Sequence, residues 1–180
     1  RMGSLVGQTQ REDVRAQIAI LQEESEIVYG SPEVVDVRGA DSEKGAFMSP
    51  ILMRVTNVDA ATKVHEVEAF GPVSTMMPYS TVAEAVELSK KGRGSLCCSI
   101  ATHDREVAKE FVRNAASMHG RILVLDRESA KESTGHGSPL PLLVHGGPGR
   151  AGGGEEMGGL RGIRHYMQRT AIQGHPSMLS

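Results

Sequence analysis

Glu68-Ala69-Phe70-Gly71-Pro72 is the segment of this sequence whose residue types and spacing point most directly to chemistry. A carboxylate and an aromatic ring two residues apart in an extended stretch project to the same side, and Gly-Pro then bends the chain. At the entrance to a strand, such a pair can hydrogen-bond sugar hydroxyls through the acid while the ring packs on a flat heterocycle. The same residues also fit a surface acid beside a core phenylalanine, and the motif alone leaves both readings open.

Cys97 and Cys98, the 2 cysteines of the chain, qualify as nucleophiles by residue type only. They sit mid-strand in Ser-Leu-Cys-Cys-Ser-Ile, where a thiol is a small buried hydrophobe and no thiolate is stabilised. Strand neighbours face opposite sides, so the two are poorly placed to pair with each other. No catalytic residue is assigned. Of the 7 histidines, His136 and His145 flank a glycine-rich stretch with Glu155 and Glu156 beyond it. None has the i, i+4 spacing of a helical zinc site and no Cys-x-x-Cys accompanies them, so no metal site is assigned and the histidines are expected to hydrogen-bond the loop. Gly147-Pro148-Gly149-Arg150-Ala151-Gly152 fits G-x-G-x-x-G, but Gly153 and Gly154 follow where a helix should open, and no acid comes after Glu156 to hold a ribose. It is not read as a dinucleotide fingerprint.

More than half of the 21 glycines lie between Gly135 and Gly162. Each costs about 0.5–1 kcal/mol of chain entropy relative to alanine, which calls for a reason. Leu140, Leu142, Leu143, Val144, Met157 and Leu160 interleave with them, unlike a flexible linker. The reading is an ordered loop that needs positive φ or close backbone approach.

The elements around these residues follow from periodicity. Val14, Ile18 and Leu21 recur at helical spacing from Thr9 to Glu24, and Glu26 to Tyr29 reads as a short strand closed by Gly30-Ser31-Pro32. Residues 36–45 are a polar loop before the apolar run Phe47 to Val55, in which Pro50 argues for an edge strand or an irregular start. Ala60 to Glu66 holds a helical turn or two. Val73 to Tyr79 reads as a strand, Thr81-Val-Ala-Glu84 as a capping box, Ser95 to Ala101 as a strand, Asp104 as the start of a helix ended by Gly120, and Arg121 to Leu125 as a strand. Strand, helix, strand, helix, strand with short links is the alternation of a mostly parallel α/β sheet flanked by helices. Ile163 to Ile172 reads as a final strand, with charges on one side.

Composition excludes several classes. With 20 Lys+Arg against 22 Asp+Glu and a net charge of -2, no basic block is offered to nucleic acid. Aromatics at 3% and the absence of tryptophan remove stacking platforms. No apolar run approaches the ~20 residues of a membrane span, so the expected location is cytoplasmic. Arg1-Met2-Gly3-Ser4 suggests a chain that begins in the middle of a larger one.

At Glu68-Ala69-Phe70-Gly71-Pro72-Val73 the chain resembles the aldehyde dehydrogenase superfamily, whose pattern Glu-Glu-x-Phe-Gly-Pro-Val has an acid where Val67 stands here. The tail over 130–174, AKESTGHGSPLPLLVHGGPGRAGGGEEMGGLRGIRHYMQRTAIQG, is similar to the branch of that superfamily active in phenylacetic acid degradation. A semialdehyde dehydrogenase of the benzoyl-CoA pathway shares parts of it. The resemblance implies oxidation of a CoA-linked semialdehyde with NADP (or NAD), through a cysteine thiolate and a glutamate-activated water that both precede the Glu-x-Phe-Gly-Pro segment. It implies that Glu68 holds the nicotinamide ribose, that Phe70 packs beside the nicotinamide, and that the glycine-rich loop forms part of the substrate entrance. It divides the chain into 1–162, the C-terminal portion of a catalytic domain, and 163–180, a strand and tail used in homo-oligomerisation. Nothing here matches the nucleophile or the cofactor domain, so the 180-residue chain alone is expected to be silent and to self-associate. The competing readings are a non-enzymatic α/β module that pairs through its last strand, and a glycine-loop nucleotide-binding module.

Overall fold

In the computed structural model, residues 2–132, 135, 147–151, 163, 167 and 169–179 are described. They fall into two units, Arg1–Pro78 and Tyr79–Ser180. In the first, helix α1 (Gln8–Leu21) turns Val14, Ile18 and Leu21 inward, as their spacing predicts. Strands β1 (Ser25–Tyr29), β2 (Ile51–Val55) and β3 (Val73–Met76) form a sheet in that order, with β1 antiparallel and β3 parallel to β2. Ile51 and Met53 of β2 and Met48 meet the buried face of α1. Each such aliphatic side chain contributes about 1.5–3 kcal/mol on burial. Between β2 and β3 lies the single turn of helix α2 (Lys63–Glu66).

Pro50 departs from the expectation of an edge strand, because β2 is the middle strand of the three. The irregular start is what occurs: Pro50 precedes the first strand residue, and the ladder begins with Ile51, whose N–H donates to the Pro72 carbonyl at 2.9 Å. A proline just outside the ladder removes no sheet hydrogen bond.

In the second unit, α3 (Val82–Lys90), β4 (Ser95–Ala101), α4 (Arg105–Ala115), β5 (His119–Leu125), α5 (Ser129–Glu132), β6 (Ala171–Gln173) and α6 (Pro176–Leu179) follow in order. Strands β4, β5 and β6 make a parallel sheet in that order. Its core joins Val86 of α3, Ala108, Phe111 and Ala115 of α4, Ile122 and Val124 of β5, and Met178 of α6. The helix starts are those the sequence announces. Thr81 accepts from the N–H of Glu84, and Asp104 accepts from the N–H groups of Glu106 and Val107. The Glu84 carboxylate reaches back to the N–H of Ser80 at 2.7 Å, one residue before the cap.

Three expectations are corrected. β3 and β4 are not joined in one sheet: β3 pairs with β2 in the first unit and β4 with β5 in the second, so α3 links two sheets. Gly120 lies inside β5 and is buried, while α4 gives way to a 3-10 turn at Ala116–Met118. The final strand is Ala171–Gln173 and not Ile163 to Ile172; Ile163 is helical, Met167 lies in a bend and Arg169 and Thr170 have no regular structure. It pairs in parallel with β5 of its own chain. The expected boundary between residues 162 and 163 adjoins residues outside the described set, as do His136, His145, Glu155, Glu156 and most of the glycine-rich stretch. No helix among the described residues is long and apolar enough to cross a membrane.

Candidate functional site

The segment carrying Glu68 and Phe70 is fixed on both sides by the first unit. Val67 leaves α2 in extended conformation, and Val67, Ala69 and Val73 pack against the cluster around Val14, Ile18 and Met53. Glu68 and Phe70, which alternate with these packed residues, are both exposed. Phe70 is 74% exposed, which removes the reading of a core phenylalanine beside a surface acid.

Phe70 has φ 50, one of two non-glycine residues with positive φ among those described. That conformation costs a residue with a Cβ on the order of 1–3 kcal/mol and persists only where neighbours over-determine it. Three contacts do so here. The Gln10 side-chain amide donates to the Phe70 carbonyl at 2.9 Å. Gly71 lies so close to α1 that a Cβ there would stand 2.8 Å from a Val14 methyl. The N–H of Val73 closes a tight turn onto the Gly71 carbonyl at 2.8 Å, and β3 begins at once.

Glu24, just beyond α1, ties down the other end. Its carboxylate accepts from the N–H and hydroxyl of Thr62 and from the N–H of Val64. Partial desolvation works against the charge, but the Thr62 and Val64 donors outweigh it and hold the carboxyl below the usual carboxylate range. Beside it, Lys63 pairs with Glu23. The cleft of about 780 Å³ lined by residues such as Met2, Arg38, Phe47 and Pro50 includes neither Glu68 nor Phe70. The pair is thus presented on an outward-facing turn. An exposed carboxylate that accepts hydrogen bonds and an exposed ring suit a ribose and a flat heterocycle.

In the second unit, Cys97 and Cys98 are free thiols. Cys98 packs against the core, and burial pushes its thiol pKa up, the reverse of what a nucleophile needs. Cys97 accepts from the Arg121 guanidinium at 3.5 Å. His119 is buried between the Ser95 and Ser89 hydroxyls, at 2.7 and 3.2 Å, and burial lowers its pKa. The described part of the glycine-rich stretch shows both features predicted for it. Gly147 and Gly149 have φ 69 and 56, and the N–H of Arg150 donates to the Arg93 carbonyl at 3.0 Å. A Cβ on Gly149 or Gly94 would run into the facing backbone. No cluster of three potential metal ligands exists among the described residues. Gln10 and Glu24 were not visible in the sequence as parts of the site, since a polar side chain on or just beyond an amphipathic helix carries no local signal of a partner 38 to 60 residues away.

Known proteins place these elements in a common frame. The model of the aldehyde dehydrogenase family matches residues 1–172. Protein MaoC of Klebsiella aerogenes is 50% identical over 180 residues, covering 99% of this chain and 52% of that protein. The 3,4-dehydroadipyl-CoA semialdehyde dehydrogenase of Aromatoleum evansii is 38% identical over 148 residues, covering 82% of this chain and 29% of that protein. The chain spans about half the length of the first of these relatives and under a third of the second. Among solved structures, succinic semialdehyde dehydrogenase from Streptococcus pyogenes in complex with NADP+ superposes with a TM-score of 0.56 and 25% identity, over 69% of this chain and 25% of that one. A double mutant of betaine aldehyde dehydrogenase from Staphylococcus aureus in complex with NAD+ shares the fold at a TM-score of 0.59 and 21% identity, over 70% of this chain and 24% of that one. With the Glu-x-Phe-Gly-Pro turn in place in the first unit, a parallel sheet in the second and a family match running through nearly the whole sequence, this chain belongs to the aldehyde dehydrogenase family.

Proposed function

We propose that this chain supplies the nicotinamide-facing turn of an NAD(P)-dependent dehydrogenase that oxidises a CoA-linked semialdehyde to the carboxylate in phenylacetate catabolism, in the cytoplasm, with NADP as the favoured acceptor. The observation that carries this reading is the exposed Phe70 ring, held at φ 50 beside the exposed Glu68. When bound, the nicotinamide accepts the hydride. Glu68 accepts hydrogen bonds from the ribose hydroxyls, where ionised acceptors are the strong ones, and Phe70 packs on the face or edge of the nicotinamide ring. The substrate class follows the two relatives named above, one of which is a CoA semialdehyde dehydrogenase by name.

Neither cysteine of the chain serves as nucleophile in this reading, because both lie in β4 and the burial of Cys98 disfavours its thiolate. The 180 residues alone are therefore expected to be inactive. Association of subunits uses the C-terminal segment 163–180, where β6 is the outer strand of its sheet among the described residues. The test is to purify the native gene product, followed through the peptide ESTGHGSPLPLLVHGGPGR (132–150), and to assay it with a CoA-linked semialdehyde and NADP or NAD. Semialdehyde-dependent reduction of the nicotinamide supports the reading. Absence of reduction with either cofactor overturns it.

A further inference from the structure

We infer that the cleft of the first unit holds the pantetheine arm of a CoA thioester, with Arg38 taking a phosphate at its outer end; the inference rests on the CoA-linked substrate proposed above. The cleft measures about 780 Å³, within the range of small-molecule sites, and Val37, Phe47, Met48 and Pro50 give it an apolar lining. Its walls are tied down. The N–H of Leu5 donates to the Ala46 carbonyl at 2.9 Å, and the Ser49 hydroxyl is shared between the Ser31 and Val34 carbonyls at 2.7 and 3.2 Å. The Phe47 ring occupies the space that a Cβ on Gly45 would need, so it packs on bare backbone. Residues 35–39, which also line the cleft, differ from these walls. Among the described residues, none of their backbone N–H or carbonyl groups is hydrogen-bonded, and the exposed Asp36 and Arg38 side chains form no ion pair. Open peptide groups over an apolar floor match a pantetheine arm, in which two amides alternate with short alkyl links. The amides pair with the peptide groups as an added strand pairs with a sheet edge, and the alkyl links cover Val37 and Phe47. Asp36 accepts from the hydroxyl that follows the second amide, and Arg38 meets the pyrophosphate beyond it. Amide, hydroxyl and phosphate follow one another along the arm as the Val35 peptide, Asp36 and Arg38 do along the chain. A nicotinamide dinucleotide has phosphates but no alkyl arm to cover the floor.

Hydrogen exchange of the native gene product reads the cleft without turnover. Unbonded amides exchange fast, so CoA should slow residues 35–39 at short labelling times. Pantetheine, which carries no phosphate, should slow the same residues at higher concentration. Arg38→Gln removes a hydrogen bond between charged groups, which should raise the CoA concentration required by about tenfold and leave that of pantetheine level. In the assay the same substitution should raise the KM for the CoA-linked semialdehyde by about tenfold, with kcat, the KM for NADP and the KM for a short aldehyde without CoA unchanged. The inference fails if CoA slows exchange elsewhere and leaves 35–39 as they were. It fails equally if Arg38→Gln leaves the KM for the CoA-linked substrate unchanged, or raises the KM for NADP or for the short aldehyde as much. Turnover of the CoA-linked semialdehyde without protection of 35–39 overturns the cleft and leaves the proposed reaction standing. Protection of 35–39 that Arg38→Gln weakens, in a protein that does not oxidise the semialdehyde, upholds the cleft and overturns instead the proposed reaction.

Discussion

Gly71→Ala tests whether the turn bearing Phe70 is set by its contact with α1. A Cβ at position 71 would stand 2.8 and 2.9 Å from the two methyls of Val14, and 3.5 Å from its Cβ. Carbon atoms settle at about 3.5–4.0 Å, so the turn or the helix must give by roughly 0.7–1 Å. Val14 is 0% exposed, and because both its methyls face the intruding atom, rotation about χ1 does not relieve the clash. Overpacking of this kind costs about 1–3 kcal/mol, offset by about 0.4–1 kcal/mol because alanine restricts the unfolded chain. The net expectation is a loss of about 1–2 kcal/mol, read as a fall of roughly 0.5–1 M in the urea midpoint by circular dichroism. Val14→Ala alone loses two methyls from the core, at about 2 kcal/mol or somewhat more. In the double variant the new methyl enters the vacated space, and Gly71→Ala should then cost close to nothing. Additive losses, within about 0.5 kcal/mol, would refute the contact argument.

Three further outcomes follow from named contacts. Glu24→Gln should destabilise the protein near neutral pH. Because the native carboxyl is held below its ordinary 4.5, the difference from the parent should shrink as pH falls below that value, in thermal melts across an acid series. His119 has its pKa lowered from 6.5 by burial, so the native state prefers the neutral ring; stability is fully present above about 6.5 and declines as pH drops toward the native value. His119→Gln should flatten that part of the melting profile, and an unchanged slope would show that the ring does not titrate on unfolding. Asp104→Ala should cost about 1 kcal/mol by leaving the N–H groups of Glu106 and Val107 without their cap, and Asp104→Asn should recover most of it.

The sequence disclosed what is encoded locally. α1 and α4 announce themselves because one buried line of side chains recurs at helical spacing, and the Thr81 and Asp104 caps because the residue types required lie within three positions of their donors. The Glu68 and Phe70 pair was legible as a motif, and both of its residues are exposed. Strand pairing was not. Whether β3 joins β2 or β4 depends on residues tens of positions away, and an alternation of strands and helices fits either arrangement. Gly120 resembled a helix stop, yet it is a buried strand residue, because the 3-10 turn at Ala116–Met118 had already ended α4. The positive φ of Phe70 and the Gln10 bond had no signature at all, being consequences of tertiary contact across 60 residues.

The most direct test of the account is a structure of the native gene product with its nicotinamide cofactor bound. The account predicts a Glu68 carboxylate oxygen about 2.5–3.0 Å from a hydroxyl of the nicotinamide ribose, with the Phe70 ring packed on the nicotinamide and φ at Phe70 still positive. A cofactor bound with its nicotinamide half away from both residues would contradict it.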